Sequence, residues 1–188
     1  MNEQPKTYDH LNFPEGLTPK DIELITKQSE LQDATLDHEV LGFAEAYKQA
    51  KEFSSIPENF TSISKEKIES LIMQWATLAE TRNEKGFRTT EVTFSNGSKA
   101  LEASKIPHAM ENLISYLNDI LKNGFAEQPE GDPRPPLGPN DLYREFEEIH
   151  PFEDGNGRIG DLLWKIAVTR QTGTWPETLP PDFFGEGR

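Results

Sequence analysis

At 188 residues, with 34% hydrophobic and 28% charged positions, the chain has material for one globular core and is neither fibrous nor disordered by composition. A net charge of −14 argues against a nucleic-acid backbone as partner, and the absence of cysteine rules out disulfides, thiolate nucleophiles and cysteine-ligated zinc. No run approaches the roughly 20 apolar residues that span a bilayer, and residues 1–14 lack the apolar stretch of a signal peptide, so a cytoplasmic protein with no membrane or nucleic-acid partner is expected.

In chain order, Thr18, Pro19 and Asp21 read as the N-cap, N1 proline and first-turn acid of a helix running toward Glu30. A second helix is expected over 36–53. Ile68, Leu71, Ile72, Trp75 and Ala79 fall on one helical face and predict a helix over 64–81. Residues 87–94 are rich in β-branched and aromatic side chains, and Asn96-Gly97 tolerates the positive φ of a tight turn. Together they predict a β-hairpin whose return strand, 99–103, is weak by propensity. Met110, Leu113, Ile114, Leu117, Ile120 and Leu121 restore a helical stripe after Ile106-Pro107, and Gly124 ends it. Residues 128–139 are dense in proline and glycine and read as an ordered loop or linker. Leu142, Phe146 and Ile149 mark a short helix, Ile159, Leu162, Leu163, Ile166 and Ala167 another, and the tail from Trp175 reads as extended. The fold class is mainly α, a helical bundle with a small β-hairpin flap. Its expected organisation is an N-terminal helical extension over 1–60, a core domain over 61–175 and a proline-rich tail over 176–188.

Chemistry concentrates between the last two helices, in His150-Pro151-Phe152-Glu153-Asp154-Gly155-Asn156-Gly157-Arg158. Glycines let backbone approach an anion closely, and a helix start offers unpaired N–H groups and a favourable dipole. Gly155, Asn156 and Gly157 at a helix start therefore form a phosphate cradle. Around it, Asp154 is a hard oxygen ligand suited to Mg2+, Arg158 can neutralise phosphate oxygens, and His150 is a candidate general base, imidazole titrating near neutral pH.

These residues resemble the signature of the Fic family, which moves AMP from ATP onto a hydroxyl side chain. The likeness extends upstream through Gly86-Phe87-Arg88 and Ile106-Pro107, covering about residues 64–172, while the N-terminal part is similar only in being helical. The resemblance implies that His150 deprotonates the target hydroxyl, Phe152 anchors the loop, and Asp154 holds Mg2+ against the diphosphate. It implies further that Gly155, Asn156 and Gly157 bind the donor's phosphates, that Arg158 grips them, and that Phe87, Arg88, Thr89, Thr90, Glu91 and Val92 belong to a flap on which a target protein docks by β-augmentation. ATP would be co-substrate, and the resemblance leaves open restraint by an antitoxin, by self-inhibition or by neither.

The sequence departs from the family at Asp161, where the signature carries a second arginine expected to bind the γ-phosphate. The resemblance then leaves three outcomes open. Arg88, Arg144 or Lys165 replaces the missing cation, the donor is a different nucleotide or diphosphate-linked compound, or the domain is a weakened nucleotide- or partner-binding module. Ser54-Ser55-Ile56-Pro57-Glu58-Asn59 matches the letters of the family's inhibitory pattern, with Glu58 as the inhibitory acid. Pro57 is poorly placed inside a helix and the partner arginine is absent, which count against a working lock. Simpler roles stand beside these: His150 as a helix C-cap, a purely structural hairpin, Glu147, Glu148 and Glu153 as a solvated acidic face, and Trp164 and Trp175 as packing residues. His10, His38 and His108 have no ligand-spaced partners.

Overall fold

Thr18 opens α1 (Pro19–Leu31) through a capping box, its hydroxyl accepting from the Asp21 N–H while the Asp21 carboxylate accepts from the Thr18 N–H. The computed structural model describes residues 8–126 and 137–183. The proline-rich stretch expected over 128–139 therefore lies outside the described residues except at 137–139, as do the first seven positions of the extension and the last five of the tail. Helix α2 (Asp37–Ser54) follows, then α3 (Pro57–Ser62), a short helix the periodicity did not predict; its Pro57 occupies the first turn, where a missing N–H costs nothing. Ser64 caps α4 (Lys65–Ala79), which ends two residues before the predicted boundary and hands over to a 3-10 turn, Thr81–Lys85. The later helices are α5 (Ile106–Asn123), closed by Gly124, α6 (Pro139–Ile149) and α7 (Asn156–Thr172).

Helix α7 is the axis of the bundle. It packs most closely on α6 and also touches α1, α2, α4 and α5, so every residue from 156 to 167 is buried. One apolar cluster joins Phe43 and Tyr47 of α2, Ile72 and Trp75 of α4, Leu113 and Leu117 of α5, Phe146 of α6 and Leu163 of α7. Removing Phe43, Phe146 and Phe152 from water contributes about 1.5–3 kcal/mol each. No helix among the described residues is long and apolar enough to cross a membrane.

Of the predicted β-hairpin, only the turn and one bridge are found. Among the described residues no strand forms; the two arms share a single antiparallel bridge, Thr93 to Lys99, around the Asn96-Gly97 turn. Phe94 N–H donates to Ser98 carbonyl (2.8 Å) and Ala100 N–H to Val92 carbonyl (3.1 Å), and there the ladder stops. The reason is competition. The Arg88 guanidinium inserts between the arms, donating to Thr90 and Leu101 carbonyls at 2.6 and 2.5 Å, and the Leu101 N–H turns to Glu148 carbonyl at 3.2 Å. An arginine fork thus does what further ladder bonds would have done.

Candidate functional site

A proline disfavours the α conformation in the residue before it, so α6 stops at His150. His150 adopts the left-handed conformation, φ 49° and ψ 63°, which costs a non-glycine residue about 1–2 kcal/mol. Arg88 holds it there. Its Nε donates to His150 carbonyl at 2.7 Å and its Nη2 to Ile149 carbonyl at 3.3 Å, while the Arg88 backbone N–H donates to Pro151 carbonyl at 2.8 Å. The half-buried imidazole sits edge-on to Phe94, ring centroids 5.0 Å apart.

Beyond it the loop is fastened inward. Phe152 is fully buried against Phe87 and Phe146, at 5.7 and 6.4 Å between centroids. The buried Asn156 amide closes the loop on itself, Oδ1 accepting from the Phe152 N–H and Nδ2 donating to the Phe152 carbonyl, both at 2.9 Å. The side chain expected at the phosphates is therefore spent on loop shape, and only its backbone remains at the helix start. Gly155 precedes α7 with φ 78°, a conformation that glycine takes without penalty.

Two arginines converge on Asp154. Arg158 lies at zero exposure, its Nη1 donating to Ala79 carbonyl at 2.6 Å and its Nη2 standing 3.8 Å from Asp154 Oδ1. Burial pulls its guanidinium below the usual arginine range. Its Nε and Nη2 form no hydrogen bond among the described residues, so a buried donor pair is left for an anion. Arg82, from the 3-10 turn, is 61% exposed and bridges two carboxylates. Its Nη2 lies 2.8 Å from Asp154 Oδ2 and 3.1 Å from Glu80 Oε2, and its Nε lies 3.0 Å from Glu80 Oε1. Hydrogen bonding from Arg82 keeps the Glu80 carboxyl below its ordinary range. Asp154 Oδ1 accepts from the Gly155 N–H at 2.5 Å, and Asn83 Nδ2 donates to the Asp154 carbonyl at 2.9 Å.

The N-terminal segment closes this site from outside. Gln28 Nε2 donates to Gly157 carbonyl at 3.1 Å, and a Cβ at Gly157 would lie 2.4–2.6 Å from the Gln32 amide. A Cβ there would push that amide aside, a shift the flexible end of the Gln32 side chain can make.

Asp161 does not face Asp154 or Arg158. It is buried 3.5 Å from Lys165 Nζ, too long for a charge-assisted hydrogen bond, and burial raises its carboxyl to about 6. Lys165, also buried, donates to Pro176 carbonyl at 3.3 Å and to Thr178 carbonyl, tying the tail to α7. The acids that act most strongly on Arg158 are Asp154, Glu39 and Glu80.

The structure therefore brings His150, Phe152, Asp154 and Gly155, in the loop between α6 and α7, together with Asn156, Gly157 and Arg158 in the first turn of α7. In the flap, Phe87 packs on Phe152, Thr89 is exposed, Val92 is half-buried, Thr90 Oγ1 donates to Glu153 Oε2 at 3.2 Å, and Glu91 Oε1 accepts from the Ala103 N–H at 3.0 Å. None of the three cations suggested to replace the second arginine is at hand. Arg88 is consumed by carbonyls, Lys165 by Asp161 and the tail, and Arg144 by Asp141 at 3.0 Å and the Phe183 ring. Glu58 is exposed on α3, which packs on α2 and α5. Sequence reasoning missed Arg82, Glu80, Asn83 and Gln32. No spacing marks them, because the first three look like the frayed end of a helix.

A histidine held at a helix end faces, across a glycine turn, a helix start that carries a buried arginine, and both sit in an α-helical domain. The chain belongs to the Fic/DOC family, whose profile matches residues 62–166. Its fold is similar to that of a Fic domain containing signaling protein from Bacteroides thetaiotaomicron. The likeness has a TM-score of 0.60 at 18% identity, over 83% of this chain and 68% of that one. No curated protein matches it.

Proposed function

We propose that the chain transfers AMP from ATP to a Ser, Thr or Tyr hydroxyl of a target protein. The observation that carries this reading is the pairing of His150, pinned by Arg88 at the mouth of the loop, with the unpartnered buried donors of Arg158 across Gly155. The target oxygen attacks the α-phosphorus in line. Its proton passes to a ring nitrogen of His150 as the new P–O bond forms, and pyrophosphate leaves with the electron pair of the bond broken. Backbone N–H groups at the start of α7 and the Arg158 fork stabilise the charge gathering on the phosphate. Asp154 is the carboxylate that would hold Mg2+ together with the donor's phosphates, and the ion when bound supplies charge neutralisation there. The fit is to a donor-borne ion, since no three His, Asp or Glu side chains cluster as a ligand set among the described residues. The target would lie along residues 89–92.

A second reading rests on the Gln32 amide over Gly157 and on the engagement of Arg88, Arg144 and Lys165 elsewhere. It is a donor without a γ-phosphate, or a nucleotide- or partner-binding module without turnover. Incubation with Mg2+ and ATP labelled at the α- or the γ-phosphate, beside His150→Ala, tests both. Protein label from the α position that depends on His150 supports AMP transfer, and normal turnover by His150→Ala refutes it. Binding without label supports the second reading.

A further inference from the structure

We infer that Arg82 is the solvent-side cation of the donor site, a guanidinium hinged on Glu80 that guards Asp154 in the resting protein and passes to the donor's outer phosphates on loading. The inference rests on the transferase reading above and adds to it a residue that no motif position assigns. Three observations carry it.

The first is how the clamp is built. Glu80, only 8% exposed, is the fixed end: its carboxylate faces Arg82 Nε at 3.0 Å and Nη2 at 3.1 Å, and also accepts from the Arg82 backbone N–H at 2.9 Å. Asp154, 41% exposed, is the releasable end, reached through Nη2 alone at 2.8 Å. A guanidinium held twice on one carboxylate and once on another can leave the second without losing its anchor.

The second is competition for oxygens. Asp154 Oδ1 is taken by the Gly155 N–H, and Oδ2 by Arg82. A divalent cation on Asp154 and the Arg82 guanidinium bonded to the same carboxylate repel as like charges at close range. An ion arriving with the donor therefore displaces Arg82 from Asp154 and leaves its positive charge beside the incoming phosphates.

The third is elimination. Of the two arginines on Asp154, Arg158 is wholly enclosed and Arg82 is 61% exposed, so Arg82 is the one a polyphosphate approaching from solvent meets. Position 161, which in the family signature carries the second cation, here holds an aspartate turned to Lys165.

The experiment compares full-length wild type, Arg82→Ala and Arg82→Lys, each shown folded by circular dichroism. Mn2+ binding without nucleotide is read by electron paramagnetic resonance. With its competitor gone, Arg82→Ala is expected to bind Mn2+ several-fold more tightly than wild type. Affinities for ATP, ADP and AMP with Mg2+ are then measured by calorimetry. Arg82→Ala is expected to lose tenfold or more on ATP and ADP with little change on AMP, and Arg82→Lys, which keeps the charge but not the fork, to fall between. An unchanged ATP-to-AMP ratio in Arg82→Ala, with wild type binding ATP, overturns the role of Arg82 and leaves the transferase reading standing. Wild type that binds none of the three overturns both.

Discussion

Replacing Arg88 by alanine should be among the most damaging single changes in the chain. The guanidinium is 2% exposed and donates to four carbonyls, those of His150, Thr90, Leu101 and Ile149. Hydrogen bonds from a charged donor are worth about 1.5–3 kcal/mol each, so the four together reach roughly 6–12 kcal/mol. Against this stands the desolvation of a guanidinium that forms no ion pair among the described residues, several kcal/mol, whose signature is a pKa pushed below the usual arginine range by burial. The net loss in Arg88→Ala is about 3 kcal/mol, a large share of the roughly 5–15 kcal/mol that holds a domain together. For a chain of this length that corresponds to a fall in Tm of about 6–12 °C. Scanning calorimetry reads the fall, and the same variant should lose His150-dependent turnover, because the left-handed residue 150 loses its restraint. A Tm within about 2 °C of wild type would refute the reasoning and show that water replaces the arginine without loss.

Asn156→Ala removes both bonds to the Phe152 backbone and should cost about 2 kcal/mol, read by urea denaturation. An unchanged midpoint would mean the loop is held by Phe152 alone. Asp161 carries a pH prediction. Its folded-state carboxyl is raised to about 6 from an unfolded value near 4, so its stabilising contribution is full below pH 4 and fades as pH rises through 6. The stability of wild type relative to Asp161→Asn should drop by up to about 3 kcal/mol between pH 4 and pH 7. A difference independent of pH would place the carboxyl in its ordinary range. Gly157→Ala meets the flexible end of the Gln32 side chain, so Gln32→Ala should relieve it with a coupling of about 0.5 kcal/mol in a double-mutant cycle; additive effects would show that the amide moves aside freely.

How much was legible follows from how far apart the partners lie. Thr18, Ser64 and Gly124 cap helices by rules that act within a few residues, and the apolar stripes of α4 and α5 repeat at helical spacing, so these elements could be read directly. The loop from His150 to Arg158 was legible because its residues are contiguous and the turn they form is local. The pairing of the arms around Asn96-Gly97 was not. Propensity favoured a ladder, and Arg88 took the Thr90 carbonyl that the next pair of the ladder needed.

By itself the sequence determined the helical character, the place of the glycine turn and the family signature, each carried by neighbours along the chain. Only the tertiary structure decided which cation reaches Asp154, since Arg82 lies 72 residues away in sequence. The same holds for Gln32, brought onto Gly157 by the packing of α1 against α7, whereas Asp161 meets Lys165 one turn along its own helix and only their burial is tertiary. Charge and size are written in the residue, but which partner meets them is set by which helices the core brings together.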